Sequence, residues 1–254
     1  MPTLASRISP WFLLLVAVTA VGGVLAALGG STDEPLAKGG IFVMALAGWA
    51  VSLCLHEFGH AVVAYRGGDT SVAMKGYLTL DIRRYTDVGY SFVLPLIILL
   101  IGGLPLPGGA VWINQWALRS RARRSAVSFA GPAANLVLGV VLTVLVGFVP
   151  MPDALVAGLS VLALLQVVAF VLNLLPVPGL DGWGVLEPYL PRSAQQLGAR
   201  VRPWAPFALL AVLLFVPGAS SAFFTVMLIV YSLIGGNPLD AANGYDALFF
   251  WQSL

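Results

Sequence analysis

The chain has two histidines, His56 and His60, and the glutamate Glu57 follows the first of them in the sequence His-Glu-Phe-Gly-His. In a helix, residues four positions apart lie on one face, so the two imidazoles can bind a single metal ion. Glu57 lies beside this pair, where its carboxylate can activate a water molecule for hydrolysis. The spacing of these three residues therefore predicts a zinc-dependent hydrolytic site.

A complete catalytic zinc site needs a third protein ligand in addition to His56 and His60. The single cysteine, Cys54, lies about 200° around a helix from His56, and we interpret it as a small buried apolar residue. The ligand is then expected among the eleven acidic residues, most of which lie in polar loops. Asp181 differs, because it follows an apolar run directly and two prolines and two glycines break the helix around it. Broken backbone is tolerated at membrane depth where it lines a polar cavity, and such a break can turn Asp181 towards the histidines.

The composition of the chain is that of a membrane protein. Of its 254 residues, 59% are hydrophobic and 9% are charged, and the mean hydropathy is +0.93. Soluble globular proteins carry about 25% charged residues. The histidine motif is therefore expected within lipid, where ionisable side chains are costly and usually functional. A net charge of +2 is too weak to indicate a nucleic-acid partner.

Several apolar runs approach the length of about 20 residues that a membrane span requires. They comprise residues 11–28, 41–64, 125–149, 154–175 and 206–234. The first run is longer than the roughly 7–15 residues of a signal-peptide core, so we expect a retained helix. The last is interrupted at residues 217–221, which allows one kinked helix or a hairpin of two short helices. We predict an all-α polytopic membrane protein, a bundle of about five or six transmembrane helices.

A shorter apolar run, residues 91–104, is predicted to be a re-entrant or interfacial segment, since it is too short for a full span. Basic residues lie on both sides of it, and cytoplasmic loops collect Lys and Arg. The same bias predicts that the N-terminus, residues 65–125 and residues 176–204 face the cytoplasm. Residues 31–40 and 150–153, which have few basic residues, are predicted to face the opposite side.

Three segments together resemble the site-2 protease family of intramembrane metalloproteases, over roughly residues 40–190. The histidine motif matches the family's His-Glu-x-x-His sequence. The segment Asn173-Leu-Leu-Pro-Val-Pro-Gly-Leu-Asp181-Gly182 is similar to its second motif, in which an Asn and a Pro precede Asp-Gly. In the family, the span between these two motifs has a segment that carries a glycine and an asparagine, and residues 129–135 resemble it. We expect Gly131 and the neighbouring alanines to form a close helix-packing surface.

The resemblance implies one zinc ion per chain held by His56, His60 and Asp181, with Glu57 as catalytic base and a transmembrane protein as substrate. Asn135 and Asn173 are candidates for orienting substrate or stabilising an oxyanion, although hydrogen bonding between helices is an alternative role for both.

The resemblance to compact bacterial members also implies short strands at residues 77–80 and 107–112, whose edges can pair with an unwound substrate. We expect a single transmembrane domain over residues 1–254, without a separate soluble domain, in the lipid bilayer of a prokaryotic inner membrane. The sequence does not indicate an oligomeric state.

A second hypothesis is a membrane zinc-binding protein without proteolytic activity, either a metal transporter or a scaffold. A transporter needs ionisable residues along a pathway through successive spans, whereas here they converge on one point. Glu57 is also not needed as a ligand, which favours hydrolysis.

Overall fold

A computed structural model describes residues 8–85 and 111–253 of the chain, and every regular element among them is helical. Four helices are long and apolar enough to cross a membrane, and two bent helix pairs raise this number to six if each pair forms one span. The prediction of an all-α polytopic membrane protein is therefore confirmed. In chain order the helices are α1 Pro10–Gly29, α2 Pro35–Gly67, α3 Ser71–Met74, α4 Ile82–Tyr85, α5 Arg121–Phe148, α6 Asp153–Asn173, α7 Asp181–Leu186, α8 Arg192–Val201, α9 Ala205–Phe215, α10 Ala219–Leu233 and α11 Pro238–Leu248.

The first two helices pack closely because glycines lie where their backbones meet. A Cβ atom on Gly22 of α1 would lie 2.8 Å from the Cα of Met44, and one on Gly40 of α2 would lie 2.8 Å from the carbonyl oxygen of Gly22. Helices in membranes associate through such small residues, which let backbones approach. The first apolar run thus forms a helix that packs against the helix carrying both histidines.

Helix α6 is the most enclosed of the four long helices. In its most apolar window 67% of the residues are buried, against 11% in α1. Helix α2 packs against both α5 and α6, and on the α5 side a Cβ on Gly59 would lie 2.8 Å from the carbonyl oxygen of Ala130. The histidine motif, which is part of α2, therefore lies in the interior of the bundle, where α2 packs against α5 and α6.

The break after α6 determines the position of Asp181. Pro176 and Pro178 lack a backbone N–H and cannot continue the helix. Gly179 has a φ of 105°, and a Cβ there would lie 3.2 Å from the carbonyl oxygen of Arg202, so both conformation and space require glycine. Helix α7 then begins at Asp181 itself, which places this carboxylate in the first turn of a new helix.

The apolar run at residues 206–234 forms two helices, α9 and α10, with a break at residues 216–218. Gly218, with a φ of 82°, lies at the break. Helices α8 and α9 are bent by 74° relative to each other, and α10 and α11 by 120°. Helix α11 packs against α6, where a Cβ on Gly244 would lie 2.9 Å from the Cβ of Val161.

The strand expected at residues 77–80 is wrong, since residues 77 and 78 lie in a turn and residue 79 in a bend. Gly76 and Leu80 have φ values of 76° and 56°, which an extended strand does not allow. The N–H of Tyr77 donates to the carbonyl of Val72 and that of Thr79 to the carbonyl of Gly76, so these groups bond locally. Residues 111 and 112 lie in no strand either. The rest of the second predicted strand, and the re-entrant run at residues 91–104, lie outside the described residues.

Candidate metal centre

The three predicted ligands converge on one point between α2 and α7. The Nε2 atoms of His56 and His60 are 3.1 Å apart. Asp181 faces both rings, with Oδ2 at 3.2 Å from the Nε2 of His56 and Oδ1 at 3.4 Å from the Nε2 of His60. Ligand atoms about 2.1 Å from a tetrahedral zinc ion are about 3.4 Å apart, so these distances fit a shared ion. The three side chains can therefore hold a single metal ion.

The surroundings of the ligands leave room for an ion. Gly131 of α5 faces the two imidazoles, and a Cβ atom there would lie 2.6 Å from the Nε2 of His56 and closer still to that of His60. Two imidazoles and one carboxylate are a ligand set that zinc accepts with an open fourth position. Within residues 8–85 and 111–253, no other three His, Cys, Asp or Glu side chains are grouped in this way. The site therefore fits one zinc ion.

The Nδ1 atom of each imidazole lies next to its own hydrogen-bond acceptor. The Nδ1 of His56 lies 2.6 Å from Oδ1 of Asn135, and the Nδ1 of His60 lies 2.7 Å from the carbonyl oxygen of Val127. A carbonyl oxygen only accepts, so the Nδ1 of His60 donates and its Nε2 lone pair faces the other ligands. Histidines that bind metals usually donate their second ring N–H in this way.

Glu57 lies beside the ligands and is buried, with an exposed fraction of 3%. Its carboxylate is outside the group of three ligands. Its Oε2 accepts a hydrogen bond of 3.2 Å from the backbone N–H of Val111, so one oxygen of the carboxylate is fixed by a loop that reaches the site. This arrangement suits a base that acts next to the metal without binding it.

A cavity of about 680 Å³ contains the ligands, Glu57 and both predicted asparagines. Asn173 is 4% exposed and lines this cavity. Asn135 is engaged with His56. The cavity continues along α2 to Trp49 and Ser52, and its lining also includes residues 111–113.

The sequence analysis did not identify the residues that fix this loop. Asp69, only 1% exposed, accepts hydrogen bonds through Oδ1 from the backbone N–H and hydroxyl of Ser71, at 3.0 and 2.6 Å. Its Oδ2 accepts a bond of 2.7 Å from the N–H of Asn114, and Lys75 Nζ donates to the carbonyl of Trp112 at 2.8 Å. The loop wall of the cavity is thus tied to the end of α2. The sequence Asp-Thr-Ser directly after a helix-ending glycine is a turn signal that could have indicated Asp69.

Comparison with known proteins gives a family for this arrangement. Residues 44–160 match the model for peptidase family M50. The segment that matches includes both histidines, Glu57 and Asn135, whereas Asp181 lies beyond its end. No solved structure gives a significant match.

Curated relatives extend the likeness over nearly the whole chain. A Mycobacterium tuberculosis protein named "Putative zinc metalloprotease Rip2" is 47% identical over 248 residues, which cover 97% of this chain and 95% of the relative. The protein of the same name from Mycolicibacterium smegmatis is 43% identical over 249 residues, with the same shares covered. The "Putative zinc metalloprotease YwhC" of Bacillus subtilis is 34% identical over 150 residues, covering 56% of this chain and 66% of the relative.

Proposed function

This chain belongs to peptidase family M50, the site-2 proteases, and we propose that it hydrolyses peptide bonds of transmembrane proteins within the bilayer. It is an integral membrane protein and a zinc-dependent metalloendopeptidase. The observation that carries the proposal is the convergence of His56, His60 and Asp181 inside a bundle of apolar helices. These three residues hold the zinc ion, and Glu57 is the catalytic base.

The chemistry needs a proton acceptor beside an activated carbonyl. Zinc, when bound, polarises the scissile carbonyl and lowers the pKa of water. Glu57 takes a proton from the attacking water, whose oxygen forms a bond to the carbonyl carbon. Glu57 then gives this proton to the amine that leaves when the C–N bond breaks. The N–H of Val111 holds one carboxylate oxygen of Glu57, so the other oxygen is left for the proton.

Asn173 is proposed to bind substrate rather than to support the fold. Its buried amide lines the cavity that contains the three ligands, and its N–H groups can donate to a substrate carbonyl or an oxyanion there. A transmembrane substrate must also be unwound before cleavage, because its peptide groups are hydrogen-bonded within its own helix.

The bacterial relatives and the distribution of basic residues support a proposal for the membrane in which the protein lies and for its orientation there. The relatives are bacterial proteins, and twelve of the thirteen basic residues of the chain lie in segments predicted to be cytoplasmic, with Lys38 as the exception. We therefore propose a bacterial inner membrane with a cytoplasmic N-terminus, and a single catalytic domain centred on residues 40–190. A metal transporter would need further ionisable ligands along its spans, and the described residues bring together a single group of them.

The experiment that tests this function measures zinc content and cleavage in the same detergent-purified samples. Wild type is expected to contain one zinc ion per chain, and Asp181→Ala and His56→Ala to lose it because two ligands no longer suffice. A chelator should abolish cleavage of a transmembrane substrate in liposomes, and added zinc should restore it. Asp153→Ala, which removes an exposed carboxylate at the start of α6, is the matched control and should keep both zinc and activity.

Two outcomes would contradict the proposed function. Tight zinc binding by Asp181→Ala would exclude this residue as a ligand. A wild-type protein that holds no zinc after reconstitution would exclude the metalloprotease altogether.

Asp69→Ala is expected to lower kcat/KM by about 10–100-fold, as misplacement of an active-site element typically does. The substitution removes the acceptor of the Asn114 N–H and releases the loop that holds Glu57 through Val111. Zinc content should not change, because no ligand is touched. Cleavage kinetics together with zinc analysis check the prediction.

Asp33→Ala is the control for this loop, since Asp33 is exposed in the turn between α1 and α2. It should leave kcat/KM unchanged. If Asp69→Ala cleaves at the wild-type rate, the loop does not need its attachment to α2 for catalysis.

A further inference from the structure

A line of buried hydrogen bonds runs from helix α6 to the metal centre. Gln166 Nε2 donates to the carbonyl of Leu162 at 3.4 Å, and Asn135 Nδ2 donates to Gln166 Oε1 at 3.0 Å. The Oδ1 of Asn135 then lies 2.6 Å from the Nδ1 of His56. Asn135 and Gln166 are 3% and 1% exposed, so water does not compete for these groups.

The carbonyl of Leu162, at the α6 end of this series of hydrogen bonds, determines which group donates and which accepts in each bond. The carbonyl oxygen of Leu162 can only accept, so the amino group of Gln166 faces it and the amide oxygen faces Asn135. Asn135 must then present its amino group to Gln166 and its oxygen to His56. An oxygen in this position accepts from an Nδ1–H, which leaves the Nε2 lone pair of His56 free for a metal.

From this geometry we infer that Asn135 and Gln166 are positioning residues that hold His56 in the tautomer and orientation required for zinc. The inference rests on the proposed function, because it concerns the same zinc site. It assigns Asn135 to the support of a ligand, whereas the sequence analysis considered a role towards substrate.

The second histidine provides an internal comparison. The Nδ1 of His60 bonds to the backbone carbonyl of Val127, which is present whatever side chain stands at that position. His56 has no such backbone acceptor and relies on a side chain of α5 that is itself oriented from α6. The orientation of His56, and not that of His60, is therefore open to disruption by single substitutions.

Burial argues against a purely incidental role for Gln166. It is the longest polar side chain within α6, and an amide buried without partners costs roughly 1–3 kcal/mol by mutational data. Its amino group is bonded to the Leu162 carbonyl within α6, but its amide oxygen is bonded only while Asn135 stands opposite. A leucine at residue 166 would fill the same space in an apolar span, so packing alone does not require glutamine.

The test is the zinc affinity of the full-length protein in detergent, measured by competition with a chelator of known affinity. Asn135→Leu removes the acceptor of His56 and should weaken zinc binding by about 10–100-fold, the usual effect of losing such a partner. Gln166→Leu should weaken it less, because Asn135 remains but its amide is free to turn. Asn135→Asp keeps an oxygen opposite Nδ1 but loses the N–H that donates to Gln166, so it should bind zinc more tightly than Asn135→Leu and less tightly than wild type.

The control for general destabilisation is Thr143→Val. Thr143 is buried in α5, like Asn135, and its hydroxyl bonds to the carbonyl of Ile234, away from the metal. This variant should lose thermal stability without losing zinc affinity. Equal loss of zinc in Thr143→Val and Asn135→Leu would overturn the inference, since it would reflect the bundle and not His56.

The remaining outcomes separate the inference from the proposed function. Tight zinc binding by wild type with unchanged affinity in Asn135→Leu would overturn the inference alone. The same holds if Asn135→Asp remains folded and binds zinc no more tightly than Asn135→Leu. Absence of zinc from wild type would overturn the proposed function and the inference together. If Asn135→Leu does not fold, Gln166→Leu with wild-type affinity would still overturn the inference.

Discussion

Glu57→Gln is expected to lower the cleavage rate by roughly 10²–10⁴-fold, the usual contribution of a general base, while leaving one zinc ion bound per chain. Glutamine has nearly the same shape and can still accept the Val111 N–H through its amide oxygen. It cannot take a proton from water. Because the three ligands are untouched, catalysis and metal binding should separate completely in this variant.

Zinc analysis and cleavage of a transmembrane substrate in liposomes check this separation, with Glu34→Gln as the matched control. Glu34 precedes the same helix, α2, and is exposed far from the cavity. A Glu57→Gln protein that cleaves like wild type would show that another group is the base. Loss of zinc would instead show that Glu57 supports the metal. A transporter would keep its flux in this variant, so the result also separates the two functional hypotheses.

The sequence, with the family resemblance carrying most of the case for Asp181, predicted the three side chains that converge in the structure. Helical spacing places His56 and His60 on one face, and a helix break at Asp181 is visible in the prolines and glycines around it. The groups that hydrogen-bond to the ligands could mostly not be predicted from the sequence. The acceptor of His60 is a backbone carbonyl, at Val127, and such a group has no signature in the sequence. Gln166 did carry a signal, as a long polar residue in an apolar run, although its partner 31 positions away could not be inferred.

At residues 77–80 the sequence analysis predicted an element that the structure does not contain. The strand was expected from the family resemblance alone, although Tyr77 and Thr79 are of residue types that favour strands. The glycine at 76 and the left-handed conformation of Leu80 instead direct the backbone into turns. Tyr85 stabilises this arrangement by donating its hydroxyl hydrogen to the carbonyl of Tyr77. Local hydrogen bonding therefore took precedence over the intrinsic preference of the side chains.

Gly131→Ala is expected to weaken zinc binding by at least about 100-fold, the upper end of the range for loss of a partner of a metal ligand. A methyl group at residue 131 would lie 2.6 Å from the Nε2 of His56 and closer to that of His60, in the space that the ion needs. The carbonyl of Val127 and the amide of Asn135 hold the rings from behind, so the rings have little freedom to withdraw. Cleavage should fall with the zinc content.

Gly147→Ala on the same helix provides the matched control, because nothing lies within 4 Å of a Cβ at that position. Alanine is favoured over glycine in a helix by about 1 kcal/mol, so both substitutions should stabilise α5 locally and only the first should expel the metal. Chelator competition on both variants measures this difference. A Gly131→Ala protein with wild-type zinc affinity would mean that the ion lies away from the face of α5. In that case the glycine at residue 131 would serve helix packing, in line with its alanine neighbours, and the ion would lie on the side of the ligands nearer to α7.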